Sequence, residues 1–229
     1  MIEQQSLNIS RAIQHPFEDT DWMKKIGIGA LVNLVPVLNF AGIGYMLEIV
    51  RNNVAGRDLP LPEWNDVGGK LVEGLKLAVV FLVLGLPIFL LICVLTAGMG
   101  GLAAVADQSN GDVSQALGAG MGLLGIAVGC IALVYGLFLA YLQPAIVMQF
   151  NKTRSIGAAL RIGEVLAIAR KNSGQYITIV AVGLGLGLVL GLIGSIPILG
   201  WIVILAAAPL IQVILGHLIG QYARLNSIG

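Results

Sequence analysis

A long uncharged run constrains this fold more than any other feature of the sequence. No Asp, Glu, Lys or Arg occurs in the 52 residues between Lys171 and Arg224. A helix rises about 1.5 Å per residue and the hydrocarbon core of a bilayer is about 30 Å thick, so one span needs roughly 20 apolar residues. The run is long enough for two spans, and Pro197 near its middle favours a break because proline lacks an amide donor. The run predicts a membrane hairpin.

The composition of the whole chain also indicates a membrane protein. Hydrophobic residues make up 57% of the 229 residues and charged residues only 11%, and the mean hydropathy is +0.91. Soluble domains carry about 25% charged residues. The formal net charge of +1 argues against a nucleic-acid partner. We therefore expect membrane lipids to surround a single membrane domain over residues 1–229.

Polar and apolar segments divide this domain into three parts. Residues 1–75 hold an interfacial helix, a short hairpin broken by proline, and a loop that contains the sequence Leu-Pro-Glu-Trp. Residues 76–150 hold two spans, and residues 151–229 hold an amphipathic helix followed by the carboxyl-terminal hairpin. The predicted fold class is all-α, a polytopic bundle of four full transmembrane helices with the short hairpin and interfacial amphipathic helices.

The short hairpin has two interpretations. Residues 26–47 are uncharged and could form a fifth span kinked at Pro36. Their pattern also repeats the carboxyl-terminal hairpin, because Val-Pro-Val at residues 35–37 matches Ile-Pro-Ile at residues 196–198. The arms from Lys25 to Pro36 and from Pro36 to Arg51, 11 and 15 residues long, are too short to cross the core alone. A re-entrant hairpin and a kinked span both remain open, and the hairpin is favoured.

Basic residues predict the orientation of these elements. Lys and Arg collect on the cytoplasmic side of membrane proteins. They occur before residue 26, in the 51–76 segment and in the 151–175 segment, but not in the 105–115 segment or around Pro197. Four spans that start inside, preceded by a re-entrant hairpin, satisfy this pattern and place both termini in the cytoplasm.

Glycine and proline positions indicate packing surfaces and breaks. Small residues three or four positions apart let helix backbones approach closely, which drives packing in lipid. The glycines that follow this spacing are Gly118, Gly122, Gly125, Gly129, Gly183, Gly187 and Gly191. We interpret them as helix-packing surfaces, within the monomer or between copies. Helix breaks are expected at the prolines inside apolar segments, which are Pro36, Pro87, Pro144 and Pro197.

Few polar groups in the spans could carry chemistry. Asn33 and Asn39 flank the Pro36 turn, and Glu48 and His217 are the ionisable residues at membrane depth. Glu48 precedes Arg51 by three residues, which favours an ion pair between them. These four residues form a candidate polar site, although His217 is more simply a structural residue.

The sequence predicts no enzyme, cofactor or metal site. It contains no set of nucleophile and base, and its two cysteines, Cys93 and Cys130, lie singly in apolar runs.

Several residues in the first third of the chain resemble a known family. They are Trp22, Lys25, Pro36, Gly44-Tyr45, Arg51 and Leu61-Pro62-Glu63-Trp64, followed by glycines before the next span. Together they resemble a family of uncharacterised prokaryotic multi-span membrane proteins, a domain of unknown function. The resemblance covers most of the chain and is most specific in residues 16–75. It implies a helical fold in a prokaryotic inner membrane, and it brings no activity, ligand or catalytic residue.

The sequence therefore favours a non-enzymatic scaffold or an accessory subunit of a membrane complex or homo-oligomer. The glycine-rich surfaces and the scarcity of polar groups in the spans motivate this hypothesis. The alternative is a small-molecule or lipid transporter or scramblase, because the paired breaks at Pro36 and Pro197 are typical of transporter sites.

Overall fold

The computed structural model describes residues 6–57, 59–108 and 111–228, and within these ranges the regular structure is helical, without strands. The helices are α1 Ile9–Gln14, α2 Trp22–Leu34, α3 Asn39–Val54, α4 Val67–Asp107, α5 Asp112–Thr153, α6 Ile156–Ala159, α7 Ile162–Arg170, α8 Ser173–Gly194 and α9 Leu199–Leu225. A short 3-10 helix, His15–Glu18, follows α1. Four of the described helices, α4, α5, α8 and α9, are long and apolar enough to cross a membrane. The predicted all-α polytopic architecture is confirmed.

The chain divides into two compact units. Unit 1 comprises Met1–Val80 and Tyr141–Gly229, and unit 2 comprises Phe81–Ala140. Unit 2 is formed by the later part of α4 and the earlier part of α5, whereas unit 1 holds the start of α4, the end of α5 and the remaining helices. The single membrane domain and its three sequence-based parts stay a prediction.

In unit 1, residues 22–54 form a hairpin of two separate helices. Helix α2 ends at Leu34 and α3 begins at Asn39, so Pro36 lies in the turn between them. The helices run antiparallel, since Asn33 near the end of α2 lies against Gly42 near the start of α3. Farther from the turn, Ile26 packs against the cluster that contains Tyr45. The hairpin interpretation is therefore correct for the fold, and its depth in the bilayer stays a prediction.

Two backbone hydrogen bonds occur at corresponding positions in the turn at Pro36 and in the turn at Pro197. In the first turn, the amide of Val35 donates to the carbonyl of Val32 at 3.3 Å, and that of Asn39 donates to Val35 at 3.0 Å. In the second turn, the amide of Ile196 donates to the carbonyl of Ile193 at 3.1 Å, and that of Gly200 donates to Ile196 at 2.9 Å. The similarity of the two hairpins thus includes these two hydrogen bonds, but the turns differ at Ile198, whose φ is +64° whereas the corresponding Val37 has no positive φ.

Pro87 and Pro144 do not break their helices, so the predicted breaks at these two positions are wrong. Both lie inside continuous helices, α4 and α5. A proline within a helix leaves carbonyls of the preceding turn without a donor, and membrane helices tolerate it where neighbouring groups supply one. In unit 2, the Tyr135 hydroxyl donates to the carbonyl of Leu84, three residues before Pro87, at 2.6 Å.

A buried tyrosine in unit 1 supplies the same bond at Pro144. The hydroxyl of Tyr176 in α8 donates to the carbonyl of Tyr141, three residues before Pro144. It also accepts the amide of Ala145 at 3.3 Å. The hydroxyl thereby bridges two backbone groups that pair directly in an uninterrupted helix. This bridge satisfies the backbone and ties α5 to α8.

Helix α9 packs closely along α3 through two glycines. A Cβ atom on Gly216 would lie 3.1 Å from Met46 Cγ, and one on Gly220 would lie 2.6 Å from Asn53 Cβ. Residue numbers rise together along the two helices, so α3 runs parallel to α9. Small residues four apart allow this approach. The sequence analysis singled out other glycines and missed this pair.

Helices α3 and α4 cross with their backbones in contact. A Cβ atom on Gly44 would overlap the carbonyl oxygen of Lys70, and one on Gly74 would overlap the carbonyl oxygen of Phe40. Glycine is needed at both positions because no side chain fits. The crossing fixes the start of α4 against the short hairpin.

Candidate functional site

A buried ion pair joins the segment before α2 to α2 itself, and both of its residues bond the loop at residues 61–64. The Lys25 Nζ lies 3.0 Å from an Asp19 carboxylate oxygen, and these residues are 3% and 5% exposed. Lys25 also donates to the Leu61 carbonyl at 2.8 Å and pairs with Glu63 at 2.8 Å. Asp19 accepts the Leu61 amide at 2.7 Å. Several partners for each charge compensate for its removal from water.

These partners keep both groups charged. Burial alone would raise the pKa of Asp19, but hydrogen bonds from Lys25 and from the amides of Asp21 and Leu61 hold that pKa below its ordinary value. Burial alone would lower the pKa of Lys25, but hydrogen bonds to Glu63 and Asp19 raise it above its ordinary value. The pair is therefore a stable ion pair at neutral pH and not a proton donor–acceptor couple.

Aromatic residues complete the contact between the loop and the hairpin. The Trp64 and Tyr45 rings stack with centroids 4.5 Å apart and planes 9° apart. The Trp64 indole donates to the Lys25 carbonyl at 2.8 Å, and the Tyr45 hydroxyl donates to the Pro62 carbonyl at 2.9 Å. The residues that carry the family resemblance around Lys25, Tyr45 and the 61–64 loop are thus one packed assembly, with a structural role.

A charged cleft of about 690 Å³ lies beside this assembly in unit 1. Glu48 pairs with Lys70 at 2.7 Å, and Arg51 pairs with Glu73 at 2.6 Å. The Arg154 guanidinium lies 3.7 Å from the same Glu73 carboxylate. The predicted ion pair between Glu48 and Arg51 is therefore wrong. Each of the two residues pairs instead with an opposite charge from the start of α4.

The structure brings Asn33 and Asn39 into one groove of about 320 Å³, which Gln212 of α9 also lines. A Cβ atom on Gly42 would lie 2.7 Å from Gln212 Oε1 and 3.0 Å from Asn33 Oδ1. Gly42 thus leaves room for two amide side chains. Gln212 was missed as a groove residue because it is distant in sequence and only the packing of α9 brings it here.

The other two predicted polar residues lie elsewhere. Glu48 belongs to the charged cleft, and His217 is buried against the amino-terminal segment. The rings of His217 and His15 have centroids 4.0 Å apart. The Asn53 side chain lies 3.0 Å from His217 Nδ1. The four residues therefore form three separate environments and not a single site.

Most of the glycines predicted to pack helices face open space within their own units. A Cβ atom on Gly125 would lie 3.9 Å from Met99 Cε, and one on Gly183 would lie 3.8 Å from Leu215 Cδ2. The remaining five have no such neighbour within 4 Å, and they are Gly118, Gly122, Gly129, Gly187 and Gly191. Their role in packing stays a prediction.

The described residues also include no group of three or more His, Cys, Asp and Glu side chains placed to hold a metal ion. Cys93 and Cys130 are exposed on α4 and α5.

The fold and these internally paired polar groups define a polytopic helical membrane protein. The chain belongs to the family described as protein of unknown function (DUF4013), whose model matches residues 28–199. The match includes the Pro36 turn, the Gly44 crossing and the 61–64 loop, whereas Lys25 precedes it. The suspected family is confirmed. Neither the curated proteins nor the solved structures include a significant match to this chain.

Proposed function

We propose that this membrane protein is a non-enzymatic scaffold or accessory subunit, which assembles as a homo-oligomer or with a partner membrane protein. The open glycine face of α5 carries the proposal. Its members recur at steps of four, three and four residues, and they are Gly118, Gly122, Gly125 and Gly129. Within unit 2, only Gly125 has a neighbour, Met99 Cε at 3.9 Å.

An open glycine face in lipid is suited to bind another helix. Lipid tails are as apolar as the helix, so association depends on close van der Waals packing, which small residues permit. The ionisable groups of unit 1 support a structural role as well. Asp19 with Lys25, and Glu48 with Lys70, are engaged in ion pairs instead of being exposed to a substrate.

A pair of leucine substitutions tests this proposal. Gly122→Leu combined with Gly125→Leu fills the face, and we expect the dissociation constant of the oligomer or complex to rise at least about tenfold. Native mass spectrometry in lipid nanodiscs measures the change. Gly120→Leu is the matched control, because Gly120 also has no neighbour within 4 Å but lies on the opposite face of α5. A wild-type protein that is strictly monomeric and carries no partner would refute the proposal.

We further propose a prokaryotic inner-membrane location with both termini in the cytoplasm. The hairpin form of α2 and α3 supports this orientation because it returns the chain to the side from which it came. The basic residues before residue 26 and those of the 51–76 segment then lie on one side, as the distribution of Lys and Arg requires.

Thiol labelling tests the orientation. In a background where Cys93 and Cys130 are replaced by alanine, a Ser6→Cys variant should react with a membrane-impermeant maleimide only after the cells are permeabilised. A Gln108→Cys variant, in the segment between α4 and α5, should react in intact cells. Labelling of Ser6→Cys from outside intact cells would contradict the proposed orientation.

The amide groove favours a second candidate, a transporter or scramblase for small molecules or lipids. Asn33, Asn39 and Gln212 line it beside the Pro36 turn, and interrupted helices with polar groups at membrane depth form the sites of many transporters. Reconstituted vesicles test this candidate by lipid scrambling and solute flux. No activity, beside an active scramblase control, would exclude it.

A further inference from the structure

The amide groove of Asn33, Asn39 and Gln212 lies near the centre of the bilayer. Helix α9 runs from Leu199 to Leu225, so Gln212 is its middle residue. At about 1.5 Å per residue, Gln212 lies about 20 Å from either end of a helix that is long enough to cross the membrane. The hydrocarbon core is about 30 Å thick. Gln212 is therefore placed where water is scarce and an unpaired polar group costs free energy.

The three side-chain amides of this groove are accessible and unpaired. None of them makes a hydrogen bond with another residue in the described part of the chain. Asn39 is exposed, and Asn33 and Gln212 are partly exposed, so all three can be reached from the groove. Two of them lie close together, because a Cβ atom on Gly42 would be 2.7 Å from Gln212 Oε1 and 3.0 Å from Asn33 Oδ1. Amides in membrane helices commonly bond across a helix contact, and these do not.

The lining of the groove restricts the class of ligand. Its other described residues are all apolar, namely Phe40, Ile43, Ile204, Leu205 and Ala208. A charged ligand would lack a counter-ion in this lining, and an unpaired charge at this depth is costly. Each side-chain amide offers two donors and an acceptor, which the amide of a ligand matches. The volume of about 320 Å³ lies at the low end of the roughly 300–1,000 Å³ of ligand pockets, so the ligand is small.

We propose that the amide groove binds a small uncharged molecule that presents a primary amide group beside an apolar part. The amide of the ligand pairs with the Gln212 and Asn33 side chains, and its apolar part contacts the hydrocarbon lining. This inference names a ligand class for the second candidate function and rests on that candidate for its site. Within that candidate it favours an uncharged solute over a phospholipid, whose charged headgroup would lack a counter-ion in the groove.

Benzamide and benzoate test the ligand class, because they differ in charge but hardly in shape. The full chain in phosphatidylcholine nanodiscs is titrated with each compound by calorimetry at pH 7, and empty nanodiscs correct for partitioning into lipid. We expect saturable binding of benzamide, at least about tenfold tighter than that of benzoate. No binding of benzamide would mean that the groove holds only water and would overturn the proposal. Equal binding of the two compounds would overturn it as well.

Two variants connect the binding to this groove. Gln212→Leu removes one amide, and Gly42→Ala places a methyl group 2.7 Å from the position of Gln212 Oε1, which displaces it. Each should raise the dissociation constant of benzamide about tenfold. Gln143→Leu makes the same chemical change at an exposed position of α5 outside the groove and should leave binding unchanged. Equal effects of Gln212→Leu and Gln143→Leu would overturn the assignment.

Thermal unfolding separates a ligand-binding role of Gln212 from a structural one. The Gln212 amide has no partner among the described residues, so Gln212→Leu should not lower the unfolding midpoint in a fixed detergent. A clear fall of the midpoint would mean that the amide stabilises the fold, and it would overturn the proposal.

Flux measurements keep this proposal distinct from the transport candidate. Benzamide binding to a protein that shows no flux in vesicles would support the site and refute transport. Flux without benzamide binding would overturn the ligand class and leave the transport candidate standing.

Discussion

A Gly44→Ala variant is expected to lose about 3 kcal/mol of stability or more, because its methyl group would overlap the Lys70 carbonyl oxygen. A backbone atom cannot move aside as a flexible side chain can, so α3 and α4 must separate. Thermal or denaturant unfolding in a fixed detergent measures the loss. Gly74→Ala should act in the same direction, since its methyl group would overlap the Phe40 carbonyl oxygen.

Gly68→Ala is the matched control for the Gly44 prediction. Gly68 belongs to α4, and a Cβ atom there would have no neighbour within 4 Å. Alanine is the better helix former, so we expect a change within about 1 kcal/mol, towards higher stability. The Gly44 and Gly74 changes together should cost less than their sum, because separating the helices once relieves both overlaps. Equal effects at Gly44 and Gly68 would show that the crossing is not tight.

A Lys25→Met variant should lose about 3–5 kcal/mol, because the Asp19 carboxylate would remain buried without its cation. The adjacent Lys24→Met is the control. Lys24 is exposed, and we expect its replacement to change stability by no more than about 0.5 kcal/mol. Unfolding midpoints of the two variants, measured side by side, test the prediction. Similar midpoints would contradict a stabilising role of the buried pair.

The pH dependence gives the Lys25 prediction a second readout. The pKa of Asp19 is lowered in the folded protein, so its contribution to stability is present above the ordinary carboxyl pKa and is lost as the pH falls through the folded value. The difference in stability between the wild type and Lys25→Met should therefore shrink as the pH falls, starting above the ordinary carboxyl pKa, because a buried Asp19 without Lys25 takes up its proton at a higher pH than the paired one. A difference that stayed constant down to pH 2 would mean that another interaction causes it.

Features set by length and local pattern could be predicted from the sequence. The number of membrane-length helices followed from uncharged runs, and the hairpin turn followed from Pro36 with short arms on either side. Asn33 and Asn39 were also correctly placed beside one turn. These features depend on neighbours along the chain, so a single sequence contains the information.

Features set by partners distant in sequence could not be predicted. Glu48 pairs with Lys70 because α4 crosses α3 at Gly44, and nothing near Glu48 in the sequence indicates that crossing. Similarly, the continuity of α5 through Pro144 depends on the hydroxyl of Tyr176 from another helix. Proline chemistry alone predicts a break, and only the tertiary structure supplies the group that prevents it.

Because the Tyr176 hydroxyl bridges the backbone of α5 beside Pro144, the residues that relatives can carry at positions 144 and 176 depend on each other. If a relative replaces Pro144 with a residue that has an amide hydrogen, the normal ladder of α5 can close between Ala145 and Tyr141. The hydroxyl at position 176 is then dispensable, and phenylalanine serves there equally well. Loss of the hydroxyl while the proline is retained would instead leave a carbonyl without a donor. Across the family, proline at 144 and tyrosine at 176 should therefore be inherited together.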